Sequence, residues 1–401
     1  MNNQPLLPPR TIIVTEHFQP STGATAQLIS DLTDGLVSKG NQIIVLTSTP
    51  GPSSTIPGLL ILRSTGASKI GVSVLSKALS GLKFAAWSLY SLLAYARRGD
   101  SLLIVSNPPF IGVVGLLTKL LKGSKYIYLF QDLFPRSAQL TGVLPSRGPV
   151  SDLWSLLLCK VCKHSEKTIV LSEAMNQRCQ KEYHLSQESL AVIHNWAVET
   201  ALPVTKAQNP VAQDWCVTNK FTIQYSGNFG RLHEIITLLE AARLLADEDV
   251  HFIFVGGGAK QSQILQYINY YSLANVKLYP YQKREVLPYS LGACDISAIG
   301  LIPGSEDTVA PSKFYGIIAS GKPVLLLARH TTDIARLILD NNCGYVVDPG
   351  DPLDVVSKIR YLSKNPHVLA DQAFNARALY SRQFSLQKSV DMYHELLQSL
   401  L

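Results

Sequence analysis

Residues 307–327 read DTVAPSKFYGIIASGKPVLLL, and the order of residue types in this stretch decides the fold class. A polar opening turns at Pro311, Ser312 stands where a helix N-cap belongs, and Lys313 falls in the first turn. Phe314, Ile317 and Ile318 then share one helical face. Gly321 lies where a left-handed residue stops a helix, and Pro323 follows it. Residues 324–327 form an apolar run short enough for a strand buried on both faces. Loop, helix, tight turn and buried strand make one unit of a parallel α/β sheet. Free amides at such a helix start attract anions, and Lys313 adds a positive charge beside them.

The same alternation runs outward from this stretch. Upstream, 221–225, 250–255, 276–279 and 295–301 read as strands, with helices predicted over 234–246, 260–271 and 284–291. Downstream come a helix over 333–339, a strand over 344–347 and a helix over 353–362. The first half repeats the pattern with strands at 11–15, 42–47, 101–106, 125–130 and 167–171, and helices beginning at Gly23 and after Ser172. Residues 199–214 carry Pro203 and Pro210 with little periodicity and read as a linker. The predicted domains are therefore 1–202 and 203–374, each with its own Rossmann-like sheet, followed by a helical tail at 375–401 that breaks near Phe384 and crosses back to the first domain.

With 401 residues, 46% hydrophobic and 16% charged, the chain is too long for one ordinary core and too apolar to be disordered. The 36 Lys and Arg against 29 Asp and Glu give a net charge of +7, which favours anionic partners: phosphorylated small molecules, acidic lipid surfaces or nucleic acid. No nucleic-acid motif is visible and the basic residues are spread out, so nucleic acid is not expected. Of the six cysteines only Cys159 and Cys162 are close, and with His164 they lack a second pair to complete a metal site; buried free thiols are expected, and no metal. The first residues show no secretory pattern, which places the protein in the cytoplasm. The apolar run 84–96 is shorter than the roughly 20 residues a spanning helix needs. Lys69, Lys77, Lys83, Arg97 and Arg98 surround it, so it reads either as a helix lying in an anionic interface or as a core helix with basic ends.

Three loops of the second half leave strands at their carboxyl ends: 226–233, 256–259 and 304–312. Gly227, Gly230, Gly256, Gly257 and Gly258 would let backbone approach a diphosphate, with Arg231 and Lys313 supplying charge. Neither glycine cluster has the spacing of a dinucleotide fingerprint and no Walker lysine is present, so NAD and ATP are disfavoured. In the first half, Asp132 follows the strand 125–130 and either faces a cleft or caps the next turn.

The stretches GNFGRLH (227–233), FVGGG (254–258), PSKFYGIIASGKPV (311–324) and GYVVDPGD (344–351) resemble the nucleotide-sugar half of bacterial family 4 glycosyltransferases. PSTGATAQLISDLTDGLVSKG (20–40), SNPP (106–109), QDLFPRSAQLTGVL (131–144) and IHNW (193–196) resemble the polysaccharide-assembly branch of that family. The resemblance implies a GT-B architecture, two Rossmann-like doubly wound domains facing across a cleft. It also implies a retaining, metal-independent transfer from a nucleoside diphosphate sugar to a glycan or lipid-linked acceptor, with no cofactor. The first domain would hold the acceptor, and the protein would sit peripherally on the inner face of the plasma membrane. Carried over residue by residue, Gly227, Asn228, Gly230, Arg231, Ser312 and Lys313 would lie beside the diphosphate. Gly256, Gly257, Gly258 and Tyr281 would border the nucleoside. Gly23 would face the diphosphate from the first domain, and Asn107 and Asp132 would stand near the transferred sugar or acceptor.

This chain departs from the family where two glutamates are usual, since the aligned positions are Thr308 and Gly316. Glu306 and Asp307 are the nearby acids, and Glu306 is the candidate for the donor sugar. The lysine usual after the first loop has no counterpart unless His233 or Lys313 replaces it, and Arg136 stands where glutamate is common. Two other readings fit the same architecture: a non-hydrolysing sugar-nucleotide epimerase, and a catalytically silent partner of another glycosyltransferase.

Overall fold

The computed structural model describes residues 10–21, 23–64, 74–97, 99–146, 148–197 and 201–400. Lys69, Arg98 and the segment before Arg10 lie outside them. The chain divides into two compact units, Met1–His194 with Leu386–Leu401, and Asn195–Ser385.

In the first unit the apolar runs become β1 (Arg10–Val14), β2 (Gln42–Thr47), β3 (Leu59–Arg63), β4 (Ser101–Val105), β5 (Lys125–Leu129), β6 (Lys167–Val170) and β7 (Leu190–Val192). Its helices are α1 (Ala24–Ser38), α2 (Val74–Tyr95), α3 (Gly112–Lys122), α4 (Arg136–Leu140), α5 (Pro149–His164) and α6 (Glu173–Tyr183). The sheet order is β3-β2-β1-β4-β5-β6-β7, all parallel. Every residue of β4 (SLLIV) is buried, as a strand covered on both faces requires. The winding reverses between β1 and β4, which makes their carboxyl ends the natural place for a ligand crevice. Ser172 caps α6 by accepting from the Met175 amide, as its position predicts. On α2, Phe84, Ser88 and Leu92 are buried while Leu79, Leu82 and Tyr90 are exposed, so the helix packs one face and leaves an apolar one outward.

The second unit contains α7 (Pro210–Asp214), β8 (Phe221–Asn228), α8 (Ile236–Leu244), β9 (Val250–Gly257), α9 (Gln261–Tyr270), β10 (Val276–Tyr279), α10 (Leu287–Gly292) and β11 (Ile296–Gly300). It continues with α11 (Lys313–Ala319), β12 (Val324–Leu327), α12 (Asp333–Asp340), β13 (Gly344–Val347), α13 (Pro352–Lys364) and α14 (Pro366–Gln383). The parallel order is β10-β9-β8-β11-β12-β13, with its reversal between β8 and β11. One apolar layer joins α8 and α13 to the sheet through Leu238, Leu239, Val355 and Ile359. The opposite layer joins α11, α12 and α14 through Phe314, Ile317, Ile338 and Leu379.

Three boundaries differ from the sequence reading. The first crossing falls at His194/Asn195, and the stretch read as linker carries α7, capped by Asn209 through the amides of Val211 and Ala212. The tail does not cross at residue 375. Residues 366–383 form α14, which packs on α11, and Phe384 meets Phe314 and Tyr315 edge-on at 6.1 and 5.3 Å between ring centroids. Only α15 (Leu386–Gln398) belongs with the first unit. It lies against α1 so closely that a Cβ on Gly35 would come within 2.5 Å of Val390, and Lys39 pairs with Asp391 at 2.6 Å.

Candidate functional site

The site of the second unit grows from the two strands beside the reversal. β8 and β9 stay paired to their last residues, Gly227 opposite Gly256 and Asn228 opposite Gly257. A Cβ at Gly256 would lie 2.1 Å from the Gly227 carbonyl, and one at Gly258 would lie 2.4 Å from Asn228 Oδ1. Both have left-handed φ values, 134° and 145°. Backbone packing thus requires these glycines before any ligand is considered. The Phe229 amide donates to the Gly257 carbonyl at 2.8 Å and the Lys260 amide to the Phe229 carbonyl at 3.0 Å, so the two loops interlock. Tyr281, exposed at the rim, donates its hydroxyl to the Gly257 carbonyl at 3.0 Å.

The loop after β11 closes on the same point. A Cβ at Gly300 would fall 1.8 Å from the Glu234 carbonyl, and the Ile302 amide donates to the Leu232 carbonyl at 3.0 Å. Lys313, first residue of α11, reaches across β8: its Nζ donates to the Asn228 carbonyl at 3.2 Å and stands 3.8 Å from the centre of the Tyr225 ring. Burial lowers its ammonium to a pKa of about 7. His233 Nδ1 lies 2.7 Å from the Asn228 carbonyl and 3.1 Å from the Gly230 amide. The Gly230 amide points its hydrogen at the same Nδ1 that faces the Asn228 carbonyl, so the ring tautomer decides which of the two bonds is made. Burial first, then the Lys313 charge, lower the His233 pKa to about 3, so the ring is neutral at pH 7.

The three loops therefore meet, and Gly227, Asn228, Gly230, Gly256, Gly257, Gly258, Tyr281 and Lys313 are neighbours. Arg231 is exposed, with no hydrogen-bond partner among the described residues. Ser312 precedes α11 as expected, but its hydroxyl makes no capping bond, because its backbone is already helical at φ −55° and ψ −27°. The amides of Phe314 and Tyr315 bond to the carbonyls of Pro311 and Ser312. Lys313, and not the end of this seven-residue helix, is the positive charge placed beside these loops.

Glu306 Oε2 accepts from the Gly304 amide at 2.6 Å. Its Oε1 is buried without a hydrogen bond among the described residues, 3.9 Å from Arg329 Nε. Thr308 is wholly buried and donates to Asp307 at 3.1 Å, so its side chain is not presented to a ligand. At Gly316 a Cβ would meet only Leu291, at 3.7 Å.

In the first unit, Gly23 begins α1 with φ −65° and makes no side-chain cap; a Cβ there would meet only Ser21 Oγ, at 3.8 Å. Neither conformation nor packing requires this glycine. Asp132 is half-buried and does not cap α4, whose N-cap is Pro135. No hydrogen bond or ion pair holds its carboxylate among the described residues, and burial raises its pKa to about 6. Asn107 accepts from the Glu16 amide at 3.1 Å beside the β1/β4 reversal. Arg136 opens α4 with its Nε buried and unbonded among the described residues.

Sequence reasoning passed over two groups. Lys260 donates to the His233 carbonyl at 2.6 Å, and burial lowers its pKa; it stands two residues past Gly258, at the predicted helix start. Glu16 is 8% exposed just beyond β1, with a pKa raised by burial. Cys162 is buried and Cys159 half-buried, its thiol donating to the Tyr183 carbonyl at 3.3 Å. Among the described residues no group of three or more His, Cys, Asp or Glu is placed to hold a metal ion.

Comparison with known proteins gives the same division. Residues 25–198 match the family described as Glycosyltransferase Family 4, and residues 215–379 the family described as Glycosyl transferases group 1. The chain is similar to the probable glycosyltransferase WbjE of Pseudomonas aeruginosa, 28% identical over 265 residues that span 65% of this chain and 66% of WbjE. It is also similar to the putative colanic acid biosynthesis glycosyl transferase WcaI of Escherichia coli (strain K12), 23% identical over 342 residues, 80% of this chain and 84% of WcaI. Among solved structures, Anabaena Alr3699/HepE in complex with UDP-glucose matches with a TM-score of 0.72 at 16% identity, covering 97% of this chain and 99% of that one, a likeness of fold. With one family matched in each half and two parallel α/β units of GT-B type, the chain belongs to the bacterial family 4 glycosyltransferases.

Proposed function

We propose that the protein transfers a sugar from a nucleoside diphosphate donor, UDP-linked, to a glycan or lipid-linked acceptor in cell-surface polysaccharide synthesis, with retention, without a metal, and from the inner face of the membrane. The observation that carries this reading is Lys313 held over Gly227 and Asn228 where three strand-end loops meet. HepE in complex with UDP-glucose supports the donor class, and the name of WcaI supports the acceptor class.

In this reading the bond between the sugar's anomeric carbon and the diphosphate oxygen breaks while an acceptor oxygen bonds the same carbon from the face being vacated. The diphosphate gains negative charge as it leaves. Lys313 and Arg231 stabilise that charge, with the Ser312 hydroxyl as a neutral donor. The acceptor's proton passes to the departing phosphate oxygen. Tyr281 and the glycines of 256–258 border the nucleoside, and Glu306 Oε1 accepts from a sugar hydroxyl.

The test is incubation with UDP- and GDP-sugars and a lipid-extract acceptor, with and without a chelator. Labelled product from a UDP-sugar, unchanged by the chelator, is expected. Conversion of the donor without acceptor, or loss of activity on chelation, would contradict the reading.

A further inference from the structure

In the second unit, α9 differs from the helices beside it in what it turns outward. It packs on the sheet through Ile264, Tyr267 and Ile268, in the layer shared with α8 and α13. Those two neighbours carry charge, Arg243 on α8 and Asp354, Lys358 and Arg360 on α13. In a chain with 36 Lys and Arg and 29 Asp and Glu, α9 (QSQILQYINY) has none of either. Gln261, Gln263, Gln266 and Asn269 are exposed along it instead. At its carboxyl end Tyr270 is 80% and Tyr271 44% exposed. The Tyr271 ring centroid lies 4.7 Å from that of Tyr267 and 4.8 Å from that of Tyr270. Arg243 stands 5.3 Å over Tyr271 and hydrogen-bonds Tyr267. The chain then turns at Ser272, with φ 51°, and the Leu273 amide returns to the Ile268 carbonyl at 3.1 Å, so the ring cluster sits on a closed helix end.

The absence of charge on this helix selects the occupant. Tyrosine presents an electron-rich ring face to C–H bonds and a hydroxyl to polar groups, and amide side chains both donate and accept. A sugar ring answers both, with C–H bonds on its faces and hydroxyls at its rim. An anionic partner finds no cation on α9 itself, and Arg243 is engaged by two of the rings. A second copy of this chain would bury the amides of α9 in a contact where each needs a partner, whereas a hydroxylated chain supplies those partners itself. The patch also stands apart from the glycine loops. Gln261 borders them, since a Cβ on Gly257 would fall 3.1 Å from its Oε1. The 10 residues of α9 then carry the chain roughly 15 Å further before Tyr271.

We propose that the outer face of α9, with Tyr270 and Tyr271, holds an uncharged glycan chain at a place separate from the site of transfer, sugar rings on the tyrosines and hydroxyls on the amides. This goes beyond the function proposed above and rests on membership in a glycosyltransferase family, not on the donor. The test is co-sedimentation of the full chain with cross-linked particles of dextran, amylose and galactomannan, at high salt, where a basic protein's attraction to anions is screened. Saturable binding to at least one of these polysaccharides is expected. Tyr270→Ala/Tyr271→Ala should weaken it by at least about tenfold, the scale of losing aromatic anchors, while Tyr270→Phe/Tyr271→Phe should keep most of it. Phe374→Ala, at a position 75% exposed on α14, should leave it unchanged. Circular dichroism and UDP titration, both expected to match the parent chain, report that the double variants are folded with the donor site intact. A parent chain that binds UDP but none of the polysaccharides overturns this surface alone; one that binds a polysaccharide but not UDP supports the surface and overturns the donor reading. Undiminished binding by the folded alanine variant overturns the surface, as does a dimer, seen by light scattering, that this variant dissociates while polysaccharide binding persists.

Discussion

Lys313 is an ammonium that burial disfavours and that an arriving anion would restore. With a pKa of about 7 it is charged below that pH and loses its charge above it. The Tyr225 ring at 3.8 Å offsets part of the desolvation by facing the cation. Asp132, with a pKa of about 6, is ionised above that value. If the reaction needs both charges, kcat/KM rises through about pH 6 and falls through about pH 7. A bound diphosphate raises the Lys313 pKa, so the falling limb in kcat should move to higher pH. A profile flat from pH 5 to 8 (roughly the span that would contain both limbs) would remove both residues from the rate. Lys313→Ala should lower kcat/KM by about 10²- to 10³-fold, the usual scale for a lost charge-stabilising donor. Gly258→Ala is a different kind of change: its φ of 145° and the 2.4 Å approach to Asn228 predict a loss of about 1–3 kcal/mol in the second unit's stability, measured by denaturant unfolding.

At the scale of elements, the reading of 307–327 succeeded because its signals were local. The apolar run and the left-handed Gly321 (φ 61°) delivered α11, the turn and β12. The Ser312 cap failed because the preceding chain brings Ser312 in with helical dihedrals, which a residue type does not reveal. The crossing of the tail was misplaced for a similar reason. The break at Phe384 was visible, but Leu379 and Phe384 anchoring α14 to α11 is a tertiary fact. α15 on α1 then gives a test: Gly35→Ala would force a methyl against Val390 and should cost the first unit about 1–3 kcal/mol. Equal responses of α1 and α15 amides in hydrogen exchange are expected; protection of α15 unchanged by Gly35→Ala would contradict the packing. At the start of the same helix, Gly23→Val should fold normally yet lose activity, since the glycine is required by no contact in the protein. Full activity in that variant would show that Gly23 has no part in the reaction.

Over the whole molecule, composition and alternation made two parallel-sheet units readable, because strands buried on both faces leave continuous apolar runs. The glycine loops and Lys313 were readable as a group for the same reason: strand ends beside a reversal are where α/β sheets bring loops together. Lys260 and Glu16 were not readable, since their importance comes from burial beside groups distant in sequence. Each unit has its own core, so a nucleotide bound to the second should raise the unfolding midpoint of that unit selectively.

The most direct measurement is calorimetric titration of UDP into the full chain and into Lys313→Ala near pH 6.5, where Lys313 is mostly charged. Saturable binding weakened by about tenfold or more in the variant is the predicted result. No UDP binding to the parent chain, or equal affinity in the two proteins, would contradict a diphosphate site built around Lys313.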